Sequence, residues 1–191
     1  MNEATLRLLR TRRSVKPDLM AEPGPTPSQL EELLTIASRV PDHKKLVPWR
    51  FIVFAGEART RFGERIAKAC EAEDTMAPSE IRLDTERKRF LRAPVVIAVI
   101  SRIEEKPGAP EWEQILSAGA AAMNLCIAAN AMGFVTNWLT EWIAYSPLIR
   151  QELGLAENER VAAFVYIGSS ATKPDERPRP ALNDVVTHWQ G

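Results

Sequence analysis

Twenty-seven consecutive residues, Gln114 to Thr140, carry no formal charge, and what becomes of them decides what kind of protein this chain can be. A run of this length can cross a bilayer, which takes about 20 residues. A helix apolar on every side is either membrane-spanning or the centre of a protein core. The flanks are acidic (Glu111, Glu113, Glu141), with no basic cluster at either end to orient a span. Inside, Ala118 to Ala122 and Ala128 to Ala131 hold nothing larger than alanine except Asn130, and Asn124, Asn130 and Asn137 interrupt the apolar run. The pattern predicts a core helix from about Glu111 to Met132, which other backbones or a twin helix can approach closely. Gly133 stops it, and Phe134 to Leu139 reads as a strand.

Around that helix the chain reads in α+β order, with four strands and about six helices. Residues 3–11 predict a helix with Leu6, Leu8 and Leu9 inward, stopped by Pro17. Four prolines and a glycine make 17–27 an extended connection. Thr26-Pro27-Ser28-Gln29 is a capping-box pattern with proline at the first helical position, and Leu30, Leu33, Leu34 and Ala37 follow at helical spacing. Phe51 to Phe54 predicts a strand, and about Glu57 to Glu73 a helix with Phe62, Ile66 and Ala69 on one face. Residues 79–92 predict a charged, exposed helix. Val95 to Ile100 is continuously apolar, as a strand covered on both faces is. Pro147 to Leu153 predicts a short helix and Val161 to Ile167 another apolar strand. The prolines of 173–180 exclude regular structure there. No repeat or low-complexity tract interrupts 1–191, which reads as a single domain.

The chain has 191 residues, and a chain of this length buries roughly 70% of its unfolded surface. Twenty-five basic and twenty-five acidic residues cancel, which excludes a large nucleic-acid footprint. Cys70 and Cys126 are far apart and form no C-x-x-C, which favours a reducing compartment. No apolar signal core precedes them, so a cytoplasmic location is expected. Two histidines and no H-x-x-x-H give no zinc site. There is no G-x-S-x-G elbow, no G-x-G-x-x-G and no Walker lysine loop.

Two stretches concentrate hydrogen-bonding chemistry. The segment Pro41-Asp42-His43-Lys44-Lys45, followed by Pro48-Trp49, places an acid, a histidine and two lysines at the mouth of a strand, where binding loops tend to sit. It reads equally as a helix-to-strand connection whose Trp49 is core. Arg12-Arg13-Ser14 with Lys16 forms a compact cationic run at a helix exit, and Arg177 and Arg179 repeat the theme in the tail. Guanidinium forks suit phosphate; Arg7 and Arg10 read as a solvated basic face.

Arg12-Arg13-Ser14-x-Lys16 is similar to the R-[RH]-S-x-[RK] signature of the FMN-dependent nitroreductase family. Pro41-Asp42-His43-Lys44 with Pro48-Trp49-x-Phe51 resembles the short NAD(P)H nitroreductase branch of that family. The likeness continues through Phe90-Leu91-Arg92-Ala93-Pro94, Trp112-Glu113-Gln114-x-x-Ser117-Ala118-Gly119, Gly133-Phe134 with Trp138, and Tyr166-Ile167-Gly168. The resemblance implies a nitroreductase-like α+β fold: a central mixed or antiparallel sheet of four to five strands flanked by helices, in an intertwined homodimer. It implies FMN bound at the subunit interface, reduced by NAD(P)H and reoxidised by a nitroaromatic, quinone or similar small acceptor in ping-pong fashion.

By the same resemblance Arg12, Arg13 and Ser14 hold the phosphate and ribityl chain, and Lys16 the pyrimidine edge of the flavin. Arg39 and His43 contact the flavin, Trp138-Leu139-Thr140 line its ring, and Arg177 and Arg179 reach the phosphate. Ala128, Ala129, Asn130, Ala131, Met132 and Gly133 are associated with the nicotinamide nucleotide. No side chain stands out as a catalytic acid or base. The sequence departs from the family at Val135-Thr136-Asn137, where a glycine-rich approach is usual, and at Leu139, which replaces a basic residue. An FMN-binding module of regulatory or storage role, and a helical membrane or interaction protein built on 114–140, are the other readings.

Overall fold

The computed structural model describes residues 1–172 and 174–191. Lys173, the first residue of the expected irregular tail, lies outside the described residues. Four strands form one sheet in the order β1 (Trp49–Ala55), β2 (Val95–Arg102), β4 (Glu159–Gly168), β3 (Val135–Leu139), every neighbouring pair antiparallel. The expected mixed or antiparallel sheet is thus wholly antiparallel.

The two central strands explain their own composition. Successive side chains of a strand point to opposite faces. Val95, Ile97 and Val99 join Leu33, Ala37, Leu125 and Cys126 on one side of β2. Val96, Ala98 and Ile100 join Phe62, Ile66, Ile143 and Ile149 on the other. The first layer is built by α2 (Pro27–Ala37) and α5 (Glu111–Ala131). The second is built by α3 (Glu57–Glu73), α6 (Pro147–Glu152) and the 3-10 turns around Phe90 and Ile143. Five rings close it, with Phe90 at 5.0–5.9 Å from Phe54, Phe62, Phe164 and Tyr166.

Local signals fall where expected. Thr26 and Gln29 complete their reciprocal capping box at the start of α2. The uncharged run becomes α5, β3 and the turn between them. By length and composition α5 alone among the described helices could cross a membrane, yet half of its apolar window is buried inside the fold, where it packs on the sheet.

Three expectations change. In α1 (Glu3–Thr11) no residue is buried and Leu9 faces outward, because the helix lies over the end of α5 and not on the sheet. Residues 79–92, expected to be exposed, bury Leu83, Glu86, Arg89 and Phe90. Their charges pair with one another: Arg89 Nη2 and Nε reach the Glu86 carboxylate at 2.6 and 2.5 Å. The last strand starts at Glu159, two residues early, since its buried carboxylate takes a two-pronged contact from Arg50 at 2.6 and 2.8 Å. Those hydrogen bonds hold the Glu159 carboxyl below the usual carboxylate range.

Helix α4 (Glu80–Arg87) packs so closely on α3 that a Cβ at Gly63 would overlap the Arg87 carbonyl. Helix α3 is anchored in the aromatic layer by Phe62, and α4 packs on α3 through Leu83 against Ala67 and Cys70, so neither yields freely. Gly63→Ala should therefore destabilise the fold by about 1–3 kcal/mol, as overpacking does, despite the better helix propensity of alanine; denaturant unfolding measures it.

Candidate functional site

The N-terminal cationic run is placed by strand β3. Where α1 ends at Arg12, the chain turns and lies parallel to that edge, with Ser14 bridged to Thr136. The Val15 N–H donates to the Thr136 carbonyl at 3.0 Å, and Asn137 Nδ2 donates to the Val15 carbonyl at 2.9 Å. Segments more than 120 residues apart are thereby fastened together. Val15 is buried while Ser14 and Lys16 on either side are exposed. Trp138 lies further along the same edge, 38% exposed, its indole N–H on the Ala162 carbonyl at 3.2 Å; Leu139 and Thr140 are half-buried.

The C-terminal tail returns to the same place. Arg13 Nη1 donates to the Asp175 carbonyl at 2.6 Å and to Glu176 Oε1 at 3.1 Å. Arg179 Nη2 reaches that same oxygen at 3.2 Å and the Arg177 N–H reaches it at 2.9 Å. The Arg177 N–H lowers the carboxyl pKa of Glu176 first, and Arg13 and Arg179 add to it. Basic residues from both ends of the chain thus converge on one anionic oxygen. Beside it is a hollow of about 490 Å³ lined by Arg12, Arg13, Val15, Asn130, Ser170 and Glu176.

Asn130 closes the inner wall, with its amide on the Cys126 carbonyl at 2.8 Å and on Thr136 Oγ1 at 3.0 Å. Burial pushes the neighbouring Cys126 thiol up from its ordinary value. Of the stretch assigned to nicotinamide by resemblance, Ala128 and Ala129 face the core, Asn130 and Met132 are half-buried, and Ala131 and Gly133 are exposed. A second hollow, of about 530 Å³, opens beside Cys70, Trp142 and Tyr145; its lining is mostly apolar and gathers no comparable set of donors.

The other polar stretch sits elsewhere. Residues 43–45 form a 3-10 turn with Lys44, Lys45 and Val47 at φ of 59°, 56° and 48°. That conformation is a true outlier for a β-branched valine. The Asp42 carboxylate sustains it by accepting the N–H groups of Leu46 and Val47 at 2.9 and 3.1 Å, and Lys44 ties the loop to the Pro107 carbonyl. Trp49 is buried, as the structural reading of this stretch requires, but His43 is half-exposed, with Nδ1 2.6 Å from the Glu113 carboxylate on α5. Arg39 is exposed, and its carbonyl accepts Asn124 Nδ2 at 3.0 Å.

Glu113 and Asn130 stand 17 residues apart on α5. At about 1.5 Å per residue, the His43 end and the Arg13 end of that helix are therefore roughly 25 Å apart. One chain gathers Arg12, Arg13, Ser14, Arg177, Arg179 and the Trp138 edge; it does not bring His43 to them, and Arg39 stands between, its backbone at Asn124 on α5. Glu113, Glu141 and Glu176 were not singled out by residue type alone. For Glu176 the available signal is the pair of arginines that follow it, Arg177 and Arg179.

A four-stranded antiparallel sheet wrapped by helices on both faces, with an arginine-serine run fastened to its β3 edge, is a nitroreductase-like fold. The model of the nitroreductase family matches residues 9–169, and the chain belongs to that family. It is 38% identical to an NAD(P)H nitroreductase by assignment from Haemophilus influenzae, over 96% of this chain and 98% of that one. It is 37% identical to YdjA of Escherichia coli, similarly assigned, over 88% and 89%. Among solved structures, the nitroreductase-like family protein of Bacillus cereus superposes with a TM-score of 0.83 at 22% identity, covering 98% of this chain and 96% of the other. The FMN-dependent nitroreductase NfnB of Mycobacterium smegmatis, solved with NADPH, gives 0.74 at 18% identity, covering 98% and 99%.

With a carboxylate on Nδ1, neutral His43 should carry its proton there and leave Nε2 as an acceptor. Nitrogen-15 spectra at pH about 8.5, where an ordinary imidazole is neutral, should show the Nδ1–H tautomer for His43. The exposed His188, the only other histidine, serves as reference. Glu113→Ala should return His43 to the pattern of His188; identical spectra before and after would break the pairing.

Proposed function

We propose that this chain is an NAD(P)H-dependent flavin oxidoreductase of the nitroreductase type, a single domain over 1–191 that uses FMN to reduce a small acceptor such as a nitroaromatic or quinone. The observation that carries the reading is the convergence of Arg13, Arg179 and the Arg177 N–H on one oxygen of Glu176. That donor set fits a phosphate, and the Glu176 carboxylate stands in for one. Arg12 and Ser14 adjoin it, and the edge running from Thr136 to Trp138 leads away from it, as the ribityl chain and ring would. Lys16, exposed beside that edge, is the candidate for the far end of the ring.

Bound FMN supplies the hydride chemistry, while the protein sets its position and electronics. Arg13 and Arg179 neutralise the phosphate, Val15 and Asn137 fix the backbone on which it rests, and Trp138 walls the ring. The exposed residues Ala131 and Gly133 are the end of α5 open to a nicotinamide nucleotide. The NAD(P)H nitroreductase names of the relatives and the bound NADPH of NfnB support NAD(P)H as the electron donor.

The separation of about 25 Å along α5 exceeds the reach of a single mononucleotide. His43 can therefore serve a flavin held at Arg13 only from a second copy of the chain. Trp112 and Leu116 stand exposed on α5, and Leu182, Val185 and Trp189 on the tail, as surfaces for a twin subunit. The two buried, unpaired cysteines suit the cytoplasm.

The purified protein should be yellow, run at twice the mass of one chain, and bleach anaerobically on addition of NADH or NADPH; a nitroaromatic or quinone should restore the colour. A protein that keeps its flavin but is bleached by neither nucleotide would be a flavin-binding module instead.

The phosphate assignment yields an opposed pair of variants. Arg13→Ala should weaken FMN binding by roughly tenfold to a hundredfold, since each 1.4 kcal/mol is about tenfold. Glu176→Gln, which removes the resident anion, should tighten it by up to about fivefold, the range of an exposed ion pair. Riboflavin, which lacks the phosphate, should respond little to either change. Equal effects on the two flavins would remove both residues from the phosphate site.

A further inference from the structure

Glu141, directly after the Trp138-Leu139-Thr140 edge, has φ 54° and ψ −177°. Essentially only glycine occupies that region freely, and other residues persist there when their surroundings over-determine them. The surroundings here do so. Arg89 Nη1 meets Glu141 Oε1 at 2.6 Å and Arg92 Nη2 meets Oε2 at 3.0 Å, so each carboxylate oxygen is held separately.

Both arginines are themselves immobilised. Arg89 is buried and spends its remaining nitrogens on the buried Glu86 carboxylate. Burial works against its charge, but the Glu86 and Glu141 carboxylates more than offset this and leave its pKa raised. Arg92 donates to Tyr166 Oη at 3.0 Å and to the Arg89 carbonyl at 2.8 Å, and its guanidinium lies 5.0 Å from the centre of the Tyr166 ring. Burial pushes that phenol up to about 12, so it stays neutral as a partner. A buried charge network of this kind adds little net stability over a well-packed apolar one. Five charged or polar side chains therefore serve to fix one peptide in a conformation it would otherwise leave.

Resting on the flavin reading above, we propose that Arg89 and Arg92 are positioning residues. Through the Glu141 carboxylate they hold the peptide at the end of β3 in a glycine-like conformation, and so preset the backbone edge that receives the flavin ring. The Glu141 carboxylate acts as the handle; the functional surface is the main chain from Thr140 to Trp142. Among the described residues, no backbone carbonyl accepts the Glu141 N–H.

Two substitutions separate the handle from the conformation it imposes. Glu141→Gly and Glu141→Ala remove the same carboxylate, but only glycine enters this region without strain. Glu141→Gly should bind riboflavin within about twofold of the wild type, whereas Glu141→Ala should bind it roughly tenfold more weakly. FMN should show the same ratio, since the phosphate end is untouched. Arg92→Lys should weaken riboflavin binding in the wild-type background and not alongside Glu141→Gly, which asks the same question should the alanine variant not fold.

Thermal unfolding supplies a readout that needs no flavin: the glycine variant should melt above the alanine variant, the reverse of the usual order. A glycine variant that melts lower, or that binds riboflavin as poorly as the alanine variant, overturns the proposal. A wild-type protein that binds neither FMN nor riboflavin overturns the flavin reading itself.

Discussion

The structure depends on burying both faces of β2 and of its neighbour β4. Val95 to Ile100 and Ala163 to Ile167 are almost wholly inaccessible, and a strand buried on both faces must be roofed twice. That requirement recruits α2 and α5 to one side and α3, α6 and the 3-10 turns to the other. It also determines where chemistry can occur. The centre of the sheet has no room for a ligand, so polar groups collect at the β3 edge and at the two ends of α5. The strand that carries the expected flavin contacts is the edge strand, whose free side is available to pair with residues 14–15.

Much of this could be read from the chain. The double-sided strands, the capping box at Thr26 and the small-residue core helix each follow from composition and spacing within one segment. The errors arose where a residue's environment is set from afar. Charge in 79–92 suggested solvent, but Arg89 and Glu86 are buried because each supplies the other's partner, and Glu141, some fifty residues away, supplies a third. Leu9 looked inward by helical spacing, yet the helix it belongs to rests over the end of α5. Period reports which residues share a face; what that face meets is a matter of the tertiary fold.

The site was legible by the same measure. Arg12, Arg13 and Ser14 announced themselves as a local run, and Arg177 and Arg179 as another, and the structure brings these two together on Glu176. His43 also sits in a recognisable stretch, but no local signal discloses that most of α5 separates it from Arg13. Glu141 gave no warning at all. Its backbone conformation is imposed by two arginines from a preceding turn, and a glutamate is the last residue that propensity would place there.

The tail meets the body of the protein through Arg13, which grips the Asp175 carbonyl and the Glu176 carboxylate, with Glu176 itself 60% exposed. Contacts of this kind lie within reach of the surrounding electrolyte, which screens exposed charges over about 8 Å at physiological ionic strength. The body of the protein, held by apolar layers and buried ion pairs, is screened less than the strap across its cationic hollow. Protease cleavage near residue 176 should accordingly track ionic strength, making the tail a built-in gauge of the medium in which the protein works.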